Sequence, residues 1–372
     1  MPSPASASSR FTSLDVFRGM TVCFMIIVNT PGNEDLVYAP LKHAAWNGFT
    51  VTDLVYPSFL FAVGNSVSFV KEKWMSLKQS PVLYKIIKRS LIIFLLGYLL
   101  HWFPYVNDNG AYTFINFSNV RVLGVLQRIA LAYGIACLMI YYFNTRTIIA
   151  MSVALLLGYW VLLVAGGDLT LEGNIVRHFD LIIMGEEHMP VRQGVAFEAQ
   201  GWLGTIPAIV NVVAGYIAGI FIRKKGNTYE TLALLCIAGF SLYTIGCFWD
   251  LFLPINKKLW TGSFVCYTIG FDCLIMAVII YIIEFRNRRS WTYFFEVFGR
   301  NPLFIYILAE IGEHARNNIY TSSGKPISRW IFDATVPESI PYLGSLLLAI
   351  AFTLLCWLVG YALDKRRIYV KV

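Results

Sequence analysis

The stretch WTGSFVCYTIGFDCLIMAVIIYIIE, residues 260–284, decides the fold class. Its charged side chains are only Asp272 and the terminal Glu284. A helix of about 20 apolar residues can cross a bilayer, because all its backbone polar groups are bonded within the segment. The run is too long and too continuous for the alternating strands of a membrane barrel. It therefore predicts a transmembrane helix.

Comparable apolar runs recur along the 372-residue chain. The predicted spans are residues 14–30, 49–70, 87–104, 120–142, 147–165, 202–222, 230–250, 260–284, 293–312 and 341–363. Hydrophobic residues make up 57% of the chain and charged residues only 14%, whereas a soluble domain carries about 25% charged residues. We expect an all-α integral membrane protein with about ten transmembrane helices.

The distribution of lysine and arginine predicts the orientation of these helices. With the N-terminus placed in the cytoplasm, the inner segments hold about twice as many basic residues as the outer ones, the bias that cytoplasmic loops show. Both termini are therefore predicted to be cytoplasmic. The net charge of +8 is explained by this asymmetry, so no nucleic-acid partner is expected. We divide the chain into a disordered tail (1–12), one transmembrane domain (13–364) with a long outer loop (166–201), and a basic cytoplasmic tail (365–372).

Four arginines lie in or at the edges of predicted spans: Arg18, Arg121, Arg128 and Arg300. An unpaired charge inside a membrane costs about 3 kcal/mol or more and usually faces a cavity or a partner. Arg18 follows Asp15 by three residues, which puts both on one face of a helix that Ser13 is predicted to cap. One interpretation is a neutralised pair at the membrane edge. The other is that Arg18 contacts the phosphates of a nucleotide cofactor at the cytoplasmic mouth of a cavity.

A histidine block, KHAAWNGFTVTD at residues 42–53, leads into the second predicted span on the outer side. His43 alone would be an ordinary interfacial residue, and Trp46 suits an aromatic belt. However, Asn29 ends the preceding span on the same side and Asp53 begins the next one. An imidazole oriented by a carboxylate is a common proton acceptor. The block thus predicts a general base, with Asp53 fixing the tautomer of His43.

The stretch RVLGVLQR, residues 121–128, places two arginines nearly on one face of the fourth predicted span. A helix facing only lipid would not tolerate them, so this face is predicted to line a polar cavity. The alternative is structural pairing of either arginine with Asp15, Asp53 or Asp272.

Other polar residues give weaker signals. The outer loop contains metal-ligand types whose spacing fits no site, so no metal is predicted. These are His178, Asp180, Glu186, Glu187 and His188. Glu310 and His314 are interpreted as a structural i,i+4 pair, and His101 as a residue among interfacial aromatics.

At these residues the chain resembles the heparan-α-glucosaminide N-acetyltransferase family and its bacterial members. The similar stretches are SLDVFRG (13–19) with VN (28–29), KHAAWNGFTVTDLVYPSFLF (42–61), GVLQRIALAY (124–133), GWLGTI (201–206), PINKKLW (254–260) and GRNPLFIY (299–306). They keep their order and cover nearly the whole chain. One departure is that Glu198-Ala-Gln200-Gly stands where members typically have Asp-Pro-Glu-Gly.

The resemblance implies transfer of an acetyl group from cytosolic acetyl-CoA to the amine of a glucosamine-type sugar across the membrane. It maps the family's catalytic histidine onto His43, and its helix asparagine and arginine onto Asn29 and Arg128. We expect His43 to act as general base or as acetyl carrier, and Asn29 or Arg128 to stabilise the thioester oxyanion.

The remaining expected contacts follow from this scheme. The predicted acetyl-CoA contacts are Arg18, Asn29, Gln127 and Arg128, and the predicted acceptor contacts are Trp46, Asn47, Arg121 and Gln200. The expected partners are acetyl-CoA, an amino sugar or glycan, membrane lipid and a second copy in a homodimer; the expected location is a bacterial inner membrane. The alternatives are an amino-sugar transporter and an O-acetyltransferase of envelope glycans.

Overall fold

A computed structural model describes residues 11–103, 105–108, 112–114 and 116–370. Most of the predicted disordered tail, residues 1–10, lies outside the described residues, as do residues 371–372 of the predicted basic tail. The first helix begins at Thr12, so the boundary predicted after residue 12 is one residue late. Ser13 is inside this helix and is not its N-cap, and its backbone N–H donates to Glu284 Oε1 at 3.2 Å.

The described residues are mainly helical, with very little strand. The helices are α1 (Thr12–Asn29), α2 (Val51–Ser68), α3 (Lys71–Met75), α4 (Gln79–Trp102), α5 (Val125–Tyr142), α6 (Thr145–Ala165), α7 (Ile175–Met184), α8 (Trp202–Lys225), α9 (Tyr229–Asp250), α10 (Gly262–Ile280), α11 (Thr292–Arg300), α12 (Pro302–Asn318), α13 (Ile327–Thr335) and α14 (Pro341–Lys365). Two antiparallel hairpins join β1 (Val106–Asp108) to β2 (Tyr112–Phe114) and β3 (Val191–Arg192) to β4 (Val195–Ala196).

Among the described residues, seven helices are long and apolar enough to cross a membrane. They are α1, α5, α6, α8, α9, α10 with the π-helical turn Tyr281–Phe285 that continues it, and α14. This pattern is that of an α-helical multi-pass membrane protein. The spans predicted at 49–70, 87–104 and 293–312 are not among the seven.

The predicted span 293–312 is wrong as a single helix. The helix is interrupted at Asn301, between α11 and α12. Pro302 occupies the first turn of α12, where its missing N–H costs nothing and its fixed φ favours helix initiation. The Asn-Pro dipeptide is therefore the physical reason for two short helices in place of one long one.

Close backbone contact fixes α2 against α8, the most buried of the seven candidate spans. A Cβ added at Gly64 on α2 would lie 1.8 Å from the carbonyl oxygen of Val212, and one added at Gly215 on α8 would lie 1.9 Å from that of Phe61. Small residues allow helix backbones to approach closely where the surroundings are apolar. This contact sets the position of Asp53, which lies in the first turn of α2.

Several connecting segments meet at one end of the helix bundle, called here the loop end. They are the segments between α1 and α2 (residues 30–50), between α6 and α8 (166–201) and between α9 and α10 (251–261). Side-chain bonds join them: Trp46 Nε1 donates to the Leu169 carbonyl at 2.7 Å, and Asn256 Nδ2 donates to Asn47 Oδ1 at 3.0 Å. The loop end therefore brings together most of the polar residues that sequence analysis singled out.

Candidate active site

The carboxylate of Asp53 is fixed by the start of α2. Asp53 and Thr50 form a capping box, and Asp53 Oδ2 accepts from the backbone N–H groups of Ala44 and Thr50, both at 3.1 Å. Free backbone N–H groups and the helix dipole both favour a carboxylate in the first turn. Oδ2 is therefore held by the backbone, and Oδ1 is left to face the histidine block.

His43 contacts that second oxygen, with Nδ1 2.7 Å from Asp53 Oδ1. A carboxylate only accepts hydrogen bonds, so Nδ1 carries the proton and Nε2 keeps its lone pair. The His43 side chain is 48% exposed whereas Asp53 is 2% exposed. This arrangement, an accessible imidazole oriented by an anchored carboxylate, has the geometry of a general base.

Lys257, in the segment between α9 and α10, is a third member of this group that sequence analysis missed. Its Nζ lies 3.4 Å from Asp53 Oδ1 and 3.2 Å from His43 Nδ1. Because Nδ1 is the donor, the partner of the ammonium is the carboxylate. The only signal in the sequence was the pair of lysines in PINKKLW, which lies more than 200 residues from His43.

A cavity of about 590 Å³ opens beside His43. Four of the predicted site residues line it: Asn29 from the end of α1, His43, Arg121, and Gln127 from the first turn of α5. Its size falls in the range of about 300–1,000 Å³ that is usual for small-molecule sites. The structure therefore brings the histidine together with the amide groups of Asn29 and Gln127.

The far side of this cavity contains residues that sequence analysis interpreted differently. His101, Tyr306, Glu310 and His314 all line it. His101 was expected among interfacial aromatics, but its Nδ1 donates to the Arg121 carbonyl at 3.1 Å and so turns the ring toward α5. Glu310 and His314 were expected to form a structural pair, but both face the cavity. Their i,i+4 spacing was the available signal, and it places both side chains on one face of α12.

Arg121 is tied to the long loop before α8. Its Nε and Nη2 donate to Glu198 Oε2 and Oε1 at 2.6 and 2.7 Å, and Nη2 also donates to Gln200 Oε1 at 2.9 Å. Glu198 is fully buried. The carboxylate partners suggested for Arg121, namely Asp15, Asp53 or Asp272, are wrong, because Glu198 is its partner. Gln200 therefore reaches Arg121 and does not line the cavity that Arg121 borders.

Arg128 does not line the cavity that holds Asn29 and His43. It is fully buried, its Nη2 donates to the Gly201 carbonyl at 3.1 Å, and its guanidinium lies 5.0 Å from the centre of the Trp260 ring. The predicted convergence of Arg128 with Asn29 and His43 is thus wrong. Successive residues of a helix point about 100° apart, so the face that presents Gln127 to the cavity turns Arg128 toward α8.

Trp46 and Asn47 line a second cavity of about 620 Å³, between the histidine block and the long loop. Lys258 lies beside them, with its ammonium 5.5 Å from the centre of the Trp46 ring. Trp46 and Asn47 were expected to share one acceptor site with Arg121. The structure places them in a neighbouring space, on the other side of the histidine block.

Arg18 lies in the first half of α1, about 16 Å along the helix axis from Asn29 at 1.5 Å per residue. It pairs with Asp15 at 2.8 Å, and it donates to Ser66 Oγ at 2.9 Å and to the Gly299 carbonyl at 2.8 Å. The pairing of Arg18 with Asp15 is therefore confirmed. Contact with a cofactor phosphate stays a prediction for this end of the bundle.

Among the described residues, no group of three or more His, Cys, Asp or Glu side chains is arranged to hold a metal ion. Within the long loop, Asp180 is a buried carboxyl whose Oδ1 accepts from the Trp202 N–H at 3.0 Å. Burial raises the pKa of Asp180 to about 7, against the opposing effect of that hydrogen bond.

Comparison with known proteins adds an independent observation. The family model described as heparan-alpha-glucosaminide N-acetyltransferase, catalytic, matches residues 10–243. The chain belongs to this family. The matched residues include the histidine block and GVLQR, and they end before Lys257 and α12, so the part of the cavity wall that α12 forms lies outside the match.

Two relatives carry the name heparan-alpha-glucosaminide N-acetyltransferase. The Mus musculus protein is 26% identical in an alignment that covers 99% of this chain and 61% of the mouse protein. The Homo sapiens protein is 27% identical over 82% of this chain and 53% of the human protein. The chain thus spans between about half and three fifths of the length of these relatives.

Proposed function

We propose that this protein is a membrane acetyltransferase that transfers the acetyl group of acetyl-CoA to the amine of a glucosamine-type sugar at the loop end of the bundle. The observation that carries the proposal is the hydrogen bond between His43 and Asp53, which leaves an imidazole nitrogen as a base beside a ligand-sized cavity. Membership in the N-acetyltransferase family supports the reaction type.

His43 is the base that removes a proton from the attacking amine. As the nitrogen bonds to the acetyl carbon, His43 Nε2 takes one amine proton, and the C–S bond breaks. The released CoA thiolate then receives that proton, so the products are the acetamide and CoA thiol. Asn29 and Gln127 supply amide N–H groups from the cavity wall for the oxyanion that develops on the thioester carbonyl. In a variant of this scheme, His43 first accepts the acetyl group on Nε2 and passes it to the amine.

Charge distribution supports delivery of acetyl-CoA from the end opposite the loop end. Basic residues are concentrated there, in α3, the first half of α4 and the end of α8: Lys71, Lys73, Lys85, Lys88, Arg89, Arg223, Lys224 and Lys225. Such segments are typical of the cytoplasmic side, and they suit the phosphates of CoA. The pantetheine arm would then extend along the bundle toward Asn29 and Gln127.

The experiment that tests this function uses the purified chain in detergent with labelled acetyl-CoA and glucosamine. We expect labelled N-acetylglucosamine and release of CoA thiol. Acetylation of hydroxyls in glucose and not of the amine would replace the proposal by an O-acetyltransferase. No transfer to any amine, together with proton-driven uptake of glucosamine into proteoliposomes, would replace it by a transporter.

A further inference from the structure

One face of α12 lines the same cavity as His43. Tyr306, Glu310, Glu313, His314 and Asn317 follow one another at intervals of three or four residues or as direct neighbours, and all five line the cavity. Such spacing puts side chains on one helical face. This helical face therefore presents two carboxylates, an imidazole, an amide and a phenol to the cavity.

The two carboxylates of this face differ in their bonds. Glu313 is engaged, because Arg316 pairs with it and Asn317 Nδ2 donates to it at 2.7 Å. Glu310 lies one turn earlier, and within the described part of the chain no lysine or arginine makes an ion pair with it. Tyr306 hydrogen-bonds to Glu310, and Arg121 lies close enough to interact with it electrostatically. Arg121 nevertheless makes its ion pair with Glu198, to which its Nε and Nη2 donate. Glu310 thus faces the cavity without an ion-pair partner among the described lysines and arginines.

We propose that Glu310 binds the ammonium group of an acceptor hexosamine, with His314 and Asn317 contacting hydroxyls of the same ring. This rests on the proposed function and names the residue that recognises its acceptor. An ammonium offers three donors and no acceptor, and a carboxylate is its strongest neutral-pH partner. A sugar held at Glu310 lies in the same cavity as His43 and Asn29. Its ammonium first passes one proton to the Glu310 carboxylate, and the neutral amine that results has the lone pair that forms the C–N bond while His43 takes the second proton.

The test compares Glu310→Gln with Glu338→Gln, in the full chain in detergent. Glu338 is exposed in the segment between α13 and α14, so both variants lose one negative charge on the α12–α14 part of the loop end. For Glu310→Gln we expect the KM for glucosamine to rise about tenfold or more, as loss of one charge-assisted hydrogen bond predicts. The KM for acetyl-CoA should stay at the wild-type value, and Glu338→Gln should leave both constants unchanged.

A second measurement needs no catalysis. Without acetyl-CoA, glucosamine should raise the Tm of the wild type and of Glu338→Gln but not that of Glu310→Gln or Glu310→Ala. Glucose, which has a hydroxyl in place of the amine, should raise the wild-type Tm much less. Should the glutamate variants not fold, the wild-type comparison of the two sugars decides, and equal shifts would overturn the inference.

The two proposals fail separately. Acetylation of glucosamine by the wild type with an unchanged KM in Glu310→Gln would overturn the role of Glu310 and leave the acetyltransferase intact. Absence of acetylation by the wild type, with a glucosamine-specific Tm shift that Glu310→Gln abolishes, would support the ammonium site and remove the enzymatic reaction.

Discussion

Arg121 binds Glu198 through two parallel hydrogen bonds, from Nε and Nη2 to the two carboxylate oxygens at 2.6 and 2.7 Å. The pair joins the chain before α5 to the long loop before α8. Glu198 is fully buried and Arg121 lines the cavity. The contact therefore fixes the position of Arg121 in the cavity wall and contributes no base or nucleophile.

Replacing Glu198 with glutamine should destabilise the protein strongly. It would leave the Arg121 guanidinium partly buried without its carboxylate, a loss that typically costs about 3–5 kcal/mol. Unfolding followed by Tm in detergent measures the effect. The double variant Arg121→Met with Glu198→Leu removes both charges and should be closer to the wild type, and a fully stable Glu198→Gln would show that the pair does not hold the loop.

Asp53→Asn should leave the fold in place and lower kcat by about 10²–10⁴-fold. The backbone N–H groups of Ala44 and Thr50 require an acceptor, so the amide oxygen must turn toward them. The amide NH₂ then faces His43 Nδ1, which moves the imidazole proton to Nε2 and removes the base. Steady-state kinetics with a Tm measurement separates this from unfolding.

The control for that variant is Asp35→Asn, which removes an exposed carboxylate from the same connecting segment. It should keep the wild-type kcat. A wild-type kcat in Asp53→Asn itself would show that the carboxylate does not determine the tautomer of His43.

The free energy of unfolding should depend on pH through the titration of Asp180. Burial raises its folded-state pKa to about 7 from an ordinary value of 3.8, so the folded protein binds the proton more tightly than the unfolded chain. Its contribution to the free energy of unfolding is therefore greatest below about pH 4. That contribution falls by about 1.4 kcal/mol per pH unit as pH rises toward 7, and then levels off.

Tm measured in detergent at half-unit steps from pH 5 to 8 checks this dependence. Asp180→Asn should flatten the profile, whereas Glu187→Gln, an exposed carboxylate of the same loop, should not. Equal slopes for Asp180→Asn and the wild type would assign the pH dependence to other groups.

Local patterns predicted much of the helical architecture and the proximity of His43 to Asp53. Apolar runs located the seven candidate spans. The proximity of His43 and Asp53 followed from ten residues of separation and a helix start between them. The Asn301–Pro302 dipeptide is typical of a helix start, but the apolar run across it favoured a single span.

Contacts between distant segments could not be predicted from one sequence. Lys257 reaches Asp53, and α12 lines the same cavity as His43, because of how helices pack and not because of any local spacing. The misplacement of Arg128 has a different cause. Its neighbour Gln127 shares the same turn, and only the rotation of α5 about its axis decides which of the two faces the cavity.

The most direct test of the account is acetyl transfer from labelled acetyl-CoA to glucosamine by His43→Ala, measured beside His178→Ala. His178 is an exposed histidine of the long loop, so the two variants remove the same side chain from the same end of the bundle. The account predicts that His43→Ala loses about 10²-fold or more of kcat, as expected for removal of a general base, while His178→Ala keeps the wild-type rate. Equal rates for His43→Ala and the wild type would contradict it.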